Sequence, residues 1–193
     1  MKLVIKIMFT FALFLCFSML STNTLFAEEN SDQDDLILQH KERIHQEAYP
    51  TLSNAAFDEL YNYYTEAYGV QLAPVSLSTR DSLADIKTGY WDYFQSAYWL
   101  TRDDGITLSL YYTTYLFEGN GNNPNVLMYK AGLAFDALYN HWRSNSNWNN
   151  TDSMSAQFHC HVTTIGQLKK PWNIEPWRTE SNLALVIAAG CNP

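Results

Sequence analysis

Residues 157–193 read QFHCHVTTIGQLKKPWNIEPWRTESNLALVIAAGCNP, and the reading of this stretch decides the fold. It opens on Gln157-Phe158-His159-Cys160-His161-Val162-Thr163-Thr164-Ile165, a run dominated by aromatic and β-branched residues and stopped by Gly166. Such a composition predicts a strand. Leu183 to Ala189 is a second apolar run, bounded by Asn182 and Gly190, and it too reads as a strand. If the two are neighbours, Cys160 and Cys191 come within bridging distance. A bridge closing about 30 residues stabilises by roughly 3–4 kcal/mol on the chain-entropy account, and it ties down a tail that would otherwise fray. Cysteine pairing is the expected state of an exported chain.

Export is what the first residues suggest. Lys2 and Lys6 precede an apolar stretch from Ile7 to Leu20, and Leu25-Phe26-Ala27 offers a cleavage site, so residues 1–27 read as a signal peptide. The apolar stretch is shorter than the ~20 residues of a membrane span, so no stable anchor is expected after cleavage. Leu15 is too large for a lipoprotein site at Cys16, which therefore leaves with the leader. Residues 28–35 hold Glu28, Glu29, Asp32, Asp34 and Asp35 and read as an acidic, disordered lead-in. The chain has a net charge of −8, more negative once Lys2 and Lys6 are removed. That balance disfavours nucleic acid, teichoic acids and anionic lipid as partners.

Working along the chain, Asp34 and Asp35 can cap a helix carrying Leu36, Ile37, Ile44 and Ala48, which Pro50 stops. Ser53 opens a second helix, with Phe57, Leu60, Tyr61, Tyr64 and Tyr68 on one stripe and Gly69 as its cap. His40 and His45 are expected on its predecessor's surface. A short helix is expected over 81–87. Lys87-Thr88-Gly89 matches one serine β-lactamase box, but the chain has no Ser-x-x-Lys to accompany it. From Tyr93 the period becomes two, and Asp104-Gly105 separates Tyr93–Arg102 from Ile106–Tyr112, which predicts a hairpin. Its pairing puts Trp99, Leu108 and Leu110 on one face and Tyr98, Leu100, Ser109 and Tyr111 on the other. Glu118–Asn125 is a loop without the Gly-Lys-Ser/Thr ending of a phosphate cradle. Val126–Trp142 is the longest amphipathic helix. The whole is α+β: N-terminal helices over 36–89, then, over 90–193, an antiparallel sheet of hairpin, long helix and two further strands closed by one disulfide.

Within the second region Tyr93-Phe94-x-Ser96-Ala97-x-Trp99-Leu100-x-Arg102-Asp103-x-Gly105-Ile106-x-Leu108-Ser109-Leu110 is followed by Gln157-Phe158-x-Cys160-His161. Lys170-x-Trp172-Asn173-Ile174-Glu175-Pro176-Trp177-Arg178 and a closing Cys191-Asn192-Pro193 come after it. Over about residues 90–193 this resembles the secreted bacterial proteins grouped as domain of unknown function 2599. The resemblance implies export and a shared fold and supplies no activity.

Three sets of residues could carry function. His159 and His161 would share one face of a strand and could hold zinc or copper if Glu175 or His141 supplied a third ligand; the alternative is a pair of partly buried imidazoles, and no cofactor or metal is assigned. Glu175, desolvated by Trp172 and Trp177, could act as a general acid, with His161 and Arg178 beside it; paired with Arg178 it would instead be a structural ion pair. A glycosidase would need a second carboxylate, for which Asp103, Asp104 and Asp152 are available. Trp172, Trp177 and Asn173, with Trp148 and the tyrosines, could form a sugar- or protein-binding surface. No Gly-x-Ser-x-Gly elbow is present, and no cysteine nucleophile survives if Cys160 and Cys191 pair. The expectation is a secreted, non-catalytic binding domain for an envelope glycan or extracellular protein. The rival is a secreted hydrolase using Glu175 with His159 or His161, with or without a metal.

Overall fold

The computed structural model describes residue 35 and residues 37–68, 86–119 and 124–193. The signal-peptide segment, the acidic lead-in, the Asp34 and Gly69 caps and the helix expected over 81–87 all lie outside the described residues or depend on residues that do. The chain divides into two compact units, residues 1–41 and 42–193. Of the first, only residue 35 and residues 37–41 are described, and they are helical; the second opens on helical residues 42–48 (α1).

The second unit is α+β. Helix α2 (Asn54–Tyr68) begins where expected: Ser53 Oγ accepts the Ala56 N–H at 3.3 Å, so a donor that helix geometry leaves unpaired is satisfied by its cap. The stripe of Phe57, Leu60, Tyr61 and Tyr64 is buried. It shares one continuous core with residues from all the later elements, which ties 42–68 to 90–193.

After the short helix α3 (Tyr90–Tyr93), strands β1 (Phe94–Arg102) and β2 (Gly105–Tyr112) form the hairpin, with Arg102 opposite Gly105. The two-residue turn is therefore Asp103-Asp104, one position earlier than the expected Asp104-Gly105. Side chains stay on the expected faces because moving a turn by one residue slides each cross-strand partner by two. Trp99 faces Leu108, and Tyr98 faces Ser109. Strand β3 (Trp172–Ile174) completes the sheet on the other edge of β2, in the order β1-β2-β3, all antiparallel. Leu108, Leu110, Trp172 and Ile174 are fully buried.

Helix α4 (Pro124–Trp142) lies in the core and comes close to residues 48–49. At Gly132 an added Cβ would lie 2.6 Å from Ala48 O and from the Tyr49 ring. No residue larger than glycine permits that approach.

Two expected strands are helices. The run 157–165 belongs to α5 (Thr151–Cys160) and to a π-helical turn, His161–Ile165. Its β-branched residues misled because they fall in that final turn. There Thr163 Oγ1 donates to His159 O (2.8 Å) and Thr164 Oγ1 to Cys160 O (2.7 Å), so threonine side chains bond carbonyls at a slackened helix end. Gly166, with φ 51°, ends a helix and not a strand. The run 183–189 is α6 (Leu183–Ala188). Asn182 Oδ1 accepts the Leu185 N–H at 3.1 Å, an N-cap. At the other end Gly190 (φ 76°) donates to Ile187 O and Cys191 to Val186 O, both at 2.9 Å, which is the Schellman pattern.

The disulfide survives this change of secondary structure. Cys160 and Cys191 are bonded (S–S 2.04 Å, Cα–Cα 5.3 Å), joining the end of α5 to the turn after α6, and both are buried.

Candidate functional site

The segment from Trp172 to Ser181 is built outward from β3. Trp172 is fully buried, stacked on Tyr112 (ring centroids 4.2 Å apart) and edge-on to Phe158. An indole so enclosed fastens the segment to the core; it presents nothing to a ligand. Asn173 pairs with Ser109 across the sheet, and its carbonyl accepts from His161 Nε2 at 3.1 Å.

Beyond the strand the backbone is clasped by Gln157 of α5. Its Oε1 accepts the Glu175 N–H at 2.8 Å and its Nε2 donates to Glu175 O at 3.1 Å. A carboxamide carries a donor and an acceptor side by side, so one side chain answers a backbone N–H and C=O together. Asn150, just before α5, donates from Nδ2 to Pro176 O at 2.9 Å. It sits in the left-handed region (φ 50°), which asparagine tolerates better than most residues.

Glu175 is 3% exposed, and its Oε2 is bonded by Arg178 Nε. The guanidinium of Arg178 also lies over the Trp177 indole, 4.2 Å from the ring centroid. Trp177 is 42% exposed, the outward member of the pair of indoles. Its ring rests against Gly105 at the hairpin turn, where a Cβ would come within 2.5 Å of Nε1. Gly105 is thus doubly constrained, by that contact and by φ 146°.

The two histidines do not share a face. Two residues apart on a helix, they point in nearly opposite directions. His159 is fully buried between aromatic rings, with Nδ1 3.2 Å from the Tyr64 hydroxyl. Burial holds its pKa down to about 3. His161 stacks parallel to Trp172, and because Asn173 O can only accept, its Nε2 carries the proton. Burial lowers its pKa to about 4; the bond to Asn173 opposes that shift and the charge of Lys169 adds to it. His141 is elsewhere, stacked on Tyr90 with ring centroids 3.9 Å apart. Among the described residues no group of three or more His, Cys, Asp or Glu side chains converges as a metal site would require.

Beside this segment opens a cleft of about 460 Å³. Its walls come from Thr51 and Ser53, from 150–153 at the start of α5, and from Thr179 and Ser181. Asp152 ties the first wall to the second, accepting Ser53 Oγ at 2.7 Å and Ser53 N–H at 3.3 Å. Neither Glu175 nor either histidine lines it. Of Asp103, Asp104 and Asp152, only Asp152 does. Sequence reasoning missed Gln157 and Asn150. The signal available was Thr151-Asp152-Ser153, a helix start whose recognition would have put 157 one and a half turns into a helix.

The fold and site define an α+β domain whose terminal helix is fastened by a disulfide and whose Trp-Pro segment is clasped from an adjoining helix. Residues 94–193, a little over half of the chain, match the family described as Protein of unknown function (DUF2599), and the chain belongs to that family. It is also similar to uncharacterized proteins of Mycobacterium bovis (Mb0487) and Mycobacterium tuberculosis (MT0495 and Rv0477), each 48% identical over 46 residues. That match covers 22% of this chain and 31% of each relative, so the chain spans less than a third of those proteins' length. No solved structure matches. No helix among the described residues is long and apolar enough to cross a membrane.

Proposed function

We propose that this protein is a secreted, non-catalytic binding domain that engages a glycan of the cell envelope through the surface around Trp177. The carrying observation is the division of labour inside the Trp-Asn-Ile-Glu-Pro-Trp-Arg motif. Its first indole is buried, its carboxylate is sealed against Arg178, and its second indole is left 42% exposed on a rigid support. An aromatic face held still in this way suits stacking on the C–H face of a sugar ring, since little side-chain freedom remains to be lost on binding.

A general acid must reach the leaving group. Glu175 is buried, bound to a guanidinium and absent from the adjoining cleft, which weighs against the hydrolase reading. Export is supported by the leader-like residues 1–27 and by a buried disulfide of the kind that persists in oxidising compartments.

Two measurements test this. Sequencing the N-terminus of protein recovered from culture medium should find the chain beginning near Glu28. A glycan array and an envelope pull-down, run with the wild type and Trp177→Ala, should give glycan signals that the variant loses. Capture of a protein partner with no glycan signal would replace the glycan reading. Turnover of a glycan by the wild type and not by Glu175→Gln would restore the hydrolase.

A further inference from the structure

We infer that the cleft between the turn before α2 and the start of α5 is a subsite for a neutral, polyhydroxylated ligand, a mono- or disaccharide unit of the glycan. This rests on the glycan reading above and adds where on the molecule a sugar sits and which kind it is. The volume, about 460 Å³, lies within the range of small-molecule sites. The lining selects the ligand. It contains six hydroxyl side chains, one carboxamide and one carboxylate, and no aliphatic, aromatic or basic group. An apolar ligand would find nothing to bury against. An anion would meet Asp152 with no cation to balance it, in a chain of net charge −8. A metal ion would find a single carboxylate already bonded twice by Ser53. What remains is a ligand that both donates and accepts neutral hydrogen bonds, as a sugar does.

The cleft is also held open and has unused valence. Asp152 joins its first two walls, and Asn150 joins the second to Pro176, three residues before Thr179, so the first two walls are braced before any ligand arrives. Asn150 spends its amide N–H on that brace, leaving its carbonyl oxygen as an acceptor. Thr51 Oγ1 has no hydrogen-bond partner although it is buried, and the Thr179 side chain is exposed on the third wall. A site whose lining is partly bonded to itself, with Thr51 and Thr179 still to be satisfied, loses little on ordering when it binds.

The test is titration calorimetry on the purified full chain with neutral disaccharides (chitobiose, cellobiose, maltose and lactose) and, for comparison, sialyllactose and a sulfated disaccharide. It is repeated with the surface double variant Thr179→Val/Ser181→Ala, with Thr51→Val, and with Trp177→Ala. At least one neutral disaccharide should bind the wild type. The double variant, whose positions lie outside the core, should bind it roughly tenfold more weakly while keeping the wild-type melting temperature. Binding of only the charged sugars overturns the inference. So does neutral-sugar binding that Trp177→Ala abolishes and the cleft variants leave unchanged, although the glycan reading of the whole domain then stands. Failure of every sugar to bind overturns both.

Discussion

Two indoles of one short motif have opposite fates. Trp172 is fully enclosed between the sheet and α5, and Trp177 stands 42% exposed over the hairpin turn. The backbone around each indole makes the difference. Trp172 begins a strand whose alternation turns it inward beside Ile174, while Trp177 comes after the Glu175–Pro176 corner that Gln157 and Asn150 hold from outside the segment. The inner half of the motif thus fastens the domain, and the outer half is a surface offered on that fastening. Stability and binding should separate cleanly between them.

The largest effect should come from the inner half. Trp172→Ala empties a core site and should destabilise by about 3–5 kcal/mol, measured by denaturant unfolding. A loss below about 1 kcal/mol would remove the distinction between the two indoles. Replacing Cys160 and Cys191 together by Ala should cost roughly 3 kcal/mol in the same assay. Because the two sulfurs are bonded to each other and buried from reductant, they should resist alkylation until the protein is unfolded and reduced.

Acid should act on the same inner region. His159 and His161 have folded pKa values of about 3 and about 4, below the unfolded value of about 6.5. Between those values the unfolded chain takes up protons that the folded one refuses. Their contribution is complete above about pH 6.5 and falls away as the pH drops through this window. The melting temperature should decline steeply from about pH 6.5 to about pH 4, with a loss on the order of a few kcal/mol. A flat profile would mean that the imidazoles are not enclosed as described. His159→Gln should flatten the slope while lowering the starting stability.

Smaller effects belong to the outer half. Gly105→Ala should cost about 2 kcal/mol, since it strains a positive-φ position at the start of β2 and displaces the Trp177 ring. It should weaken glycan binding along with it. Trp177→Ala should change stability by less than about 1 kcal/mol and yet remove glycan signal, the sharpest form of the contrast.

How much of this the residues announced depended on which physics was at stake. The hairpin over 94–112 was legible because alternation and an Asp-Asp-Gly turn are both local, and slipping the turn by one position left each face intact. The helix starting at Ser53 was legible for the same reason. The runs at 157–165 and 183–189 were not. Asn182 and Gly190 bracket an apolar run equally well as strand ends or as an N-cap and a Schellman glycine, and short apolar runs carry no decisive period. Of the candidate site, the Glu175–Arg178 pair was readable from its spacing, whereas the cleft draws its walls from three distant segments and so left no local trace.

The sequence by itself determined the α+β class, the cysteine pairing and the family motif, because the first and last depend on composition and local spacing, and Cys160 and Cys191 are the one pair of cysteines beyond Cys16. Only the tertiary structure decided that both histidines are buried, that Glu175 is sealed, and that the hydroxyls of Thr51, Ser53, Thr151, Ser153, Thr179 and Ser181 meet in one cleft. Those outcomes depend on which side chains from far along the chain arrive to exclude water, and burial is a property of the assembled core.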